Sequence, residues 1–523
     1  MAQEAAGVVD VAGAMVSAPV AMAGWLVIAP VVLPLVFGAL LLMFRHRMRW
    51  HGIVALIGLA LLVGVDAALL RQVLSHGPLA MTMGSWLPPF GISFTADALG
   101  ATFALTASLV AFVCAFFSFR DIDVSGRRYG FYPFLMVMMA GVSGAFLTGD
   151  IFNLYVWFEV FVISSFGLMI LGSEKAQIDG ATKYAILNLV ATTLFLVATA
   201  YLYGTFGTLN MADIMRKAAG LRGTGPLMTL ATLYLLAFGM KAAAFPVNFW
   251  LPASYHTPRI VTAALFGGLL TKIGVYALLR TLVMLFPVER GVLSGFIGWV
   301  AVATMILGVL GALAQADTRR AFGFLVISSV GVMLSGLALG TETGLSGTIF
   351  YAMHSMLVMT ALYLLAGAMK ELGGSFSLHE LSGLYRASPL LAGMALLLAL
   401  AVAGLPPASG LWPKVVLVKA ALAASAWWLA GAILLTGFLT TIAMGRIFLL
   451  AFWRELPGAG ERLAGASATA RPAMGQGVLL TLLVPIVLLG VLPEPVMRVS
   501  ALAAQGLLDS VAYIGAVFPG EGR

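Results

Sequence analysis

The sequence predicts an all-α integral membrane protein of about 14 transmembrane helices, built from two inverted five-helix repeats with helices 7 and 12 broken. Of 523 residues, 61% are hydrophobic and only 10% charged. The mean hydropathy is +1.03. The apolar residues fall into runs that match a bilayer core of about 30 Å, which takes about 20 residues of helix to cross. Soluble domains carry roughly 25% charged residues.

Windows of about 19 residues place spans near 22–44, 53–74, 98–118 and 132–149, then 150–172, 182–205 and 227–250. The second set lies near 260–286, 291–315, 321–340, 345–369, 388–422, 424–452 and 476–500. Residues 1–21 read as an extracytoplasmic tail of small residues; Glu4 and Asp10 without a basic region argue against a cleaved signal. Spans 1–3 fill 22–131, and 453–523 holds a cytoplasmic loop, span 14 and a C-terminal tail. Pro246 interrupts span 7, and Pro406, Pro407 and Pro413 interrupt span 12. A proline inside a helix removes one donor and frees the carbonyl four residues earlier. In lipid such a break is tolerated where it lines a water-filled cavity. Paired breaks point to repeats with a site at each. The repeats are expected at 132–286 and 291–452, and an odd number of spans in each inserts the second copy upside down.

Basic residues in the connections set the orientation. The odd connections hold Arg45, Arg47 and Arg49; Arg120, Arg127 and Arg128; Lys175 and Lys183; Arg259; Arg319 and Arg320; Lys370 and Arg386; and Arg454, Arg462 and Arg471. The even ones hold only Arg71; Arg216, Lys217 and Arg222; and Arg280 and Arg290. This excess puts the odd connections in the cytoplasm of a bacterial inner membrane and both termini outside. Arg280, Arg290, Arg319 and Arg320 read as topology determinants and headgroup contacts at span ends. The net charge of +8 comes without a basic, aromatic-interleaved patch, so nucleic acid is not expected. The single cysteine, Cys114, excludes intrachain disulfides and cysteine-ligated clusters. No connection carries a P-loop or a GxGxxG after a strand. The chain reads as a transporter subunit without a cofactor, not an enzyme.

Four charges stand out because each lies within an apolar run. A charge at the bilayer centre costs roughly 2.5–3.5 kcal/mol on the insertion scale, so Glu159, Lys241, Lys272 and Lys414 together cost about 10 kcal/mol. Glu159, in GDIFNLYVWFEV, lies nine residues past Asp150 at the membrane edge. The plain alternative is a structural carboxylate, which a neutral residue would replace at lower cost. Lys241, in FGMKAAAFPVNFW, precedes the first break and is placed to pair with Glu159. The alternative, a lysine snorkelling to the surface, does not fit its mid-span position. Lys272, in LLTKIGVYALLR, is again mid-span, with Thr271 and Tyr276 as expected partners. Lys414 follows the most disrupted stretch, GLPPASGLWPK, while Lys419 is a secondary candidate nearer the span end. His354 is the one histidine of six that falls within a span. An imidazole with a pKa near 6.5 suits a proton relay, against the alternative of a packed histidine donating one hydrogen bond. Haem b would need a second facing histidine. Asp150 and His256 complete the secondary candidates.

The stretches GDIFNLYVWFEV, FGMKAAAFPVNFWLPASYHTP, LLTKIGVYALLR and GLPPASGLWPK resemble the antiporter-like subunits shared by Mrp-type multisubunit cation/proton antiporters and proton-pumping NADH:quinone oxidoreductase. The resemblance covers roughly residues 95–455 and favours the Mrp branch. It implies a hetero-oligomeric subunit handling H+ and Na+, with Glu159 paired to Lys241, Lys272 central, His354 a relay and Lys414 terminal. Arg259 stands where the family has a small residue or proline, which bears on the cytoplasmic mouth. Pro413 stands where glycine is common, which bears on the placing of Lys414. A redox-driven pump subunit is the alternative within the family. A stand-alone carrier of an organic solute is the alternative outside it, and the mid-span lysines argue against that.

Overall fold

The computed structural model describes residue 15 and residues 22–218, 220–221, 225–455 and 472–519. The expected tail 1–21, apart from Met15, lies outside the described residues, as do Arg222, Arg462 and Arg471. Hydrocarbon offers no partner for backbone N–H and C=O groups, so each apolar run satisfies its own as helix. The principal helices are α1 (Met22–Met43), α2 (His51–His76), α3 (Ala98–Asp121), α4 (Phe131–Leu147), α5 (Ile151–Met169), α6 (Lys175–Phe206) and α7 (Gly225–Ala242). They continue with α8 (Ile260–Leu278), α9 (Pro287–Ala314), α10 (Thr318–Leu339), α11 (Glu342–Gly373), α12 (Pro389–Ala403), α13 (Leu411–Ala423) and α14 (Trp427–Phe448). The last are α15 (Pro472–Val491), α16 (Glu494–Leu508) and α17 (Val511–Val517). Among the described residues, ten helices are long and apolar enough to cross a membrane, or up to eleven with α15 and α16 taken as one bent span. Phe131–Leu147, Pro226–Ala242 and Pro389–Ala403 are shorter apolar helices.

One expectation is corrected. Span 14 does not run straight to residue 500: α15 stops at Val491 and α16 departs at 81°. Pro493 and Pro495 lack the N–H groups that would extend the helix. In the connection after α2, β1 (Leu79–Thr82) pairs antiparallel with β2 (Ser93–Ala96).

Both broken helices end in the same way. Ala243 after α7 and Gly404 after α12 take left-handed φ values of 61° and 85°. The next amide then bonds five residues back, Ala244 to the Gly239 carbonyl and Leu405 to the Leu400 carbonyl, each at 2.9 Å. Further correspondences recur at a constant interval. Asp150 caps α5 and Asp317, 167 positions later, caps α10. The Ile151 amide donates to Leu209 O and the Thr318 amide to Phe376 O, while Met211 reaches Gly149 O and Leu378 reaches Ala316 O. Both α8 and α14 run on into π-helical turns, Leu279–Leu285 and Leu449–Trp453.

The central helices α8 and α11 are almost wholly covered by their neighbours. Their cover includes the tightly crossed pair α9 and α10. There a Cβ on Gly308 would lie 2.6 Å from the Ser328 amide, and one on Gly331 2.4 Å from the Met305 amide. Small residues of this kind let helix backbones approach closely in a membrane. Gly331→Leu is expected to destabilise the protein by about 1–3 kcal/mol through overpacking. Thermal unfolding in detergent reads this as a lowered midpoint, beside Gly295→Ala, where nothing lies within 4 Å, as the unaffected control.

Candidate functional site

Glu159 on α5 is half-buried, and its Oε1 is buried without a hydrogen-bond partner among the described residues. One residue before it, the Phe158 ring lies 5.0 Å from Lys241 Nζ. Lys241, in the last turn of α7, donates to Thr192 Oγ1 on α6 at 2.9 Å. The expected Glu159–Lys241 ion pair is thus not closed in this conformation, although the carboxylate acts on the ammonium through space. A hydroxyl and an aromatic face hold the lysine instead.

From Lys241 the row passes to α8. The end of α7 lies directly against α8, where a Cβ on Gly274 would be 2.7 Å from the Ala242 amide. Two residues earlier, Lys272 is fully buried and donates to the Gly267 carbonyl of its own helix at 2.6 Å. Its expected partners are engaged differently. Thr271 Oγ1 is buried with no partner among the described residues, and Tyr276 donates to Phe146 O at 2.6 Å. The turn that accepts Lys272 abuts α11, since a Cβ on Gly268 would touch Thr360 Oγ1 and Met356 O. Just beyond lies His354, near enough to Lys272 and Lys414 for both charges to act on it.

His354 Nδ1 sits 2.7 Å from Ser409 Oγ in the break between α12 and α13, while Nε2 has no hydrogen-bond partner among the described residues. Gly410 gives the ring room: a Cβ there would be 3.0 Å from His354 Cε1. Lys414 closes the row by donating to Val402 O at 2.9 Å and Ala403 O at 2.7 Å. These carbonyls end α12, where an α-helix leaves acceptors unpaired and its dipole favours a cation. Pro413 does not disturb this arrangement, because it falls in the first turn of α13, where no amide is needed. Lys414 and the exposed Lys419 line one cavity of about 660 Å³ between α13 and α14.

The secondary candidates fall at the ends of the bundle. Asp150 caps α5, accepting from the Asn153 amide at 2.8 Å. His256, before α8, has Nδ1 2.9 Å from Pro252 O and Nε2 3.1 Å from Arg320 Nη2. Burial first, then the Arg320 guanidinium, hold this imidazole below its usual range. Arg259 caps nothing with its side chain and instead pairs with Asp123 at 3.2 Å.

Three buried groups went unpredicted. Asp66 on α2 is fully buried against α3 near Ser108. It could have been found simply because it lies within a predicted span. Ser409 is the partner of His354, and only its place beside two prolines marked it. Arg280 corrects the reading of a headgroup contact. It is fully buried and forms a two-pronged ion pair with Asp97, at 2.7 and 2.5 Å. Among the described residues, no group of three or more His, Cys, Asp or Glu could hold a metal ion.

Fold and site together define a multi-span membrane protein built around a lateral row of buried ionisable groups. The chain belongs to the NADH:quinone oxidoreductase/Mrp antiporter transmembrane family, whose profile matches residues 148–440. It is 38% identical to the D subunit of the Na(+)/H(+) antiporter of Alkalihalophilus pseudofirmus, over 94% of this chain and 99% of that one. It is 35% identical to the corresponding Na(+)/H(+) antiporter protein of Bacillus subtilis, over 94% and 99%. Its fold superposes with TM-score 0.87 at 29% identity on a chain of the Mrp complex from Dietzia, covering 95% of this chain and 100% of that one. A chain of respiratory complex I from Thermus thermophilus follows with TM-score 0.77 at 26% identity, covering 92% and 100%.

Gly404 carries the left-handed turn behind Lys414, and a Cβ there would meet Lys414 Cδ at 2.6 Å. Gly404→Ala is expected to cost about 1–3 kcal/mol in backbone strain and to lift Lys414 off its two carbonyls. Thermal unfolding and ion exchange in reconstituted vesicles should both fall, while Gly393→Ala, in open space, should alter neither.

Proposed function

We propose that this chain is the D-type subunit of an Mrp-type Na+/H+ antiporter, working inside a hetero-oligomeric complex and supplying its proton path. The observation that carries this reading is the row Glu159, Lys241, Lys272, His354 and Lys414, which passes across five helices from a half-buried carboxylate through four buried groups. Protons enter at the Glu159–Lys241 pair. When the carboxylate and ammonium approach, the charged lysine is favoured; when Lys241 swings back to Thr192, desolvation favours its proton leaving. Lys272 and His354 pass the proton along the midplane. The imidazole does so by accepting at its free Nε2 while Nδ1 stays on Ser409. Lys414, resting on the two carbonyls at the end of α12, is the last group in the row.

The finer architecture belongs to the same proposal. Fourteen spans in two inverted five-helix repeats are supported by the matching ends of α7 and α12 and by the paired connections 167 positions apart. The excess of basic residues in odd connections supports an inner-membrane protein with both termini outside. The sodium limb of the exchange is assigned to the assembled complex.

Everted vesicles from a host lacking its own antiporters test the reading. Na+-induced collapse of a respiration-generated pH gradient is followed with this gene alone, with its operon neighbours, and with the neighbours plus Glu159→Ala. Activity should require the neighbours, and Glu159→Ala should lower it by about tenfold or more, the scale of a lost proton-transfer group. Full activity from this chain alone would sink the multisubunit reading. A silent Na+ response in every combination would instead favour a redox-driven pump.

A further inference from the structure

The face of α8 that carries Lys272 continues toward one membrane surface through Tyr276 and Arg280, at i+4 and i+8. At 1.5 Å per residue, the step from Lys272 to Arg280 is about 12 Å. All three side chains are buried, so this stripe joins the central lysine to that end of the helix through polar groups shielded from lipid. We propose that the Arg280–Asp97 pair, roofed by Tyr513, is the closed seal of this stripe and stops protons passing between Lys272 and that face of the membrane.

Every group in the seal is already engaged. Tyr276 donates its hydroxyl proton to Phe146 O and accepts from Arg280 Nε at 2.9 Å. Both Arg280 Nη atoms go to Asp97, whose Oδ1 also takes the Gly100 amide at 2.9 Å. Gly100 permits this closure, because a Cβ there would press to 2.4 Å from Phe146 O. A guanidinium keeps its proton, so it relays none. As a fixed positive charge in a narrow polar passage, it also repels incoming cations.

The other side of Lys272 is different. Thr271, Thr262, Tyr255 and Tyr363 keep buried hydroxyl oxygens without a hydrogen-bond partner among the described residues. They provide relay positions, whereas Tyr276, Arg280 and Asp97 in the stripe are all engaged with one another or with the backbone.

The roof is the end of the chain. The Tyr513 ring lies 5.5 Å from the Arg280 guanidinium, and Tyr513 is itself buried. Its helix, α17, packs on β1, β2 and the short helix Met211–Ala218, while Arg216 lies 4.8 Å over the Phe518 ring. The preceding α16 crosses α3, α11 and the π turn that contains Arg280.

The inference rests on the row being a proton path, and its test needs no sodium, so the two can fail separately. Vesicles containing the whole complex are loaded with a pH gradient in sodium-free buffer, and its passive decay is followed. Asp97→Asn and Tyr513→Ala are each expected to speed the decay, by about threefold or more, because Arg280 loses its anchor in the first and its cover in the second, and the narrow passage it closes opens to water. Adding Lys272→Met to either should restore the wild-type rate, since the leak runs along the face of Lys272. Unchanged decay in both single variants, with complex assembled as in the wild type on native gels, would overturn the proposal. A fast decay that persists with Lys272→Met would overturn it too, since the damage would then lie elsewhere. If Asp97→Asn does not assemble, Tyr513→Ala decides alone, because it leaves the ion pair in place.

Discussion

A lysine ammonium held in hydrocarbon needs oxygen acceptors, and an unbroken helix offers only carbonyls that are already bonded once, as the Gly267 carbonyl is shared with Lys272. The breaks at residues 243–249 and 404–410 release them. Lys414 takes the Val402 and Ala403 carbonyls directly, and the Trp250 indole takes the Met240 carbonyl at the other break. The Phe245 amide within that break is settled by Thr304 of α9 at 2.9 Å. Each break therefore needs neighbours with polar side chains at one depth, which fixes how α6, α9 and α11 sit around α7 and α12. The close glycine contacts at Gly268, Gly274 and Gly410 then bring the helices near enough for the charges to act on one another.

The two stretches that share a backbone device use it for opposite placements. Lys241 stands before its break and Lys414 after, so one ammonium leans out toward Thr192 and the other folds back over carbonyl oxygens. Arg280 and Arg446, 166 positions apart, diverge in the same manner. The first pairs with Asp97, whereas the second donates to the Leu313 and Gln315 carbonyls at the end of α9. A common frame with different polar contents lets one half hold an acid–base pair and the other a lone cation.

Much of this was readable in the chain because hydrocarbon is a severe solvent. An apolar run of the right length has one fold open to it, and a charge inside that run is conspicuous. Prolines 246, 406 and 407 marked both breaks for the same reason. What escaped is long-range. Arg280 looked like a span-end cation because its partner Asp97 is 183 positions away, in a connection that carries no pattern. Tyr276 looked like a partner of Lys272 by helical spacing, yet Phe146 O and Arg280 claim its hydroxyl. The course of α16 was missed because a sliding window sees hydropathy and not direction, although Pro493 and Pro495 stand in the sequence where the 81° turn falls.

The dependence of the last residues on the first has a meaning for biogenesis. Synthesis runs from the N-terminus, so α3, β1 and β2 are placed long before α16 and α17 leave the ribosome. Tyr513 and Phe518 find their seats only on residues already inserted. A nascent chain stopped after Phe452 would hold the whole row from Glu159 to Lys414 with nothing across Arg280. Synthesis of α16 and α17 is thus the event that finishes this surface, and a chain cut short before them would be threaded through the membrane but unfinished over Arg280.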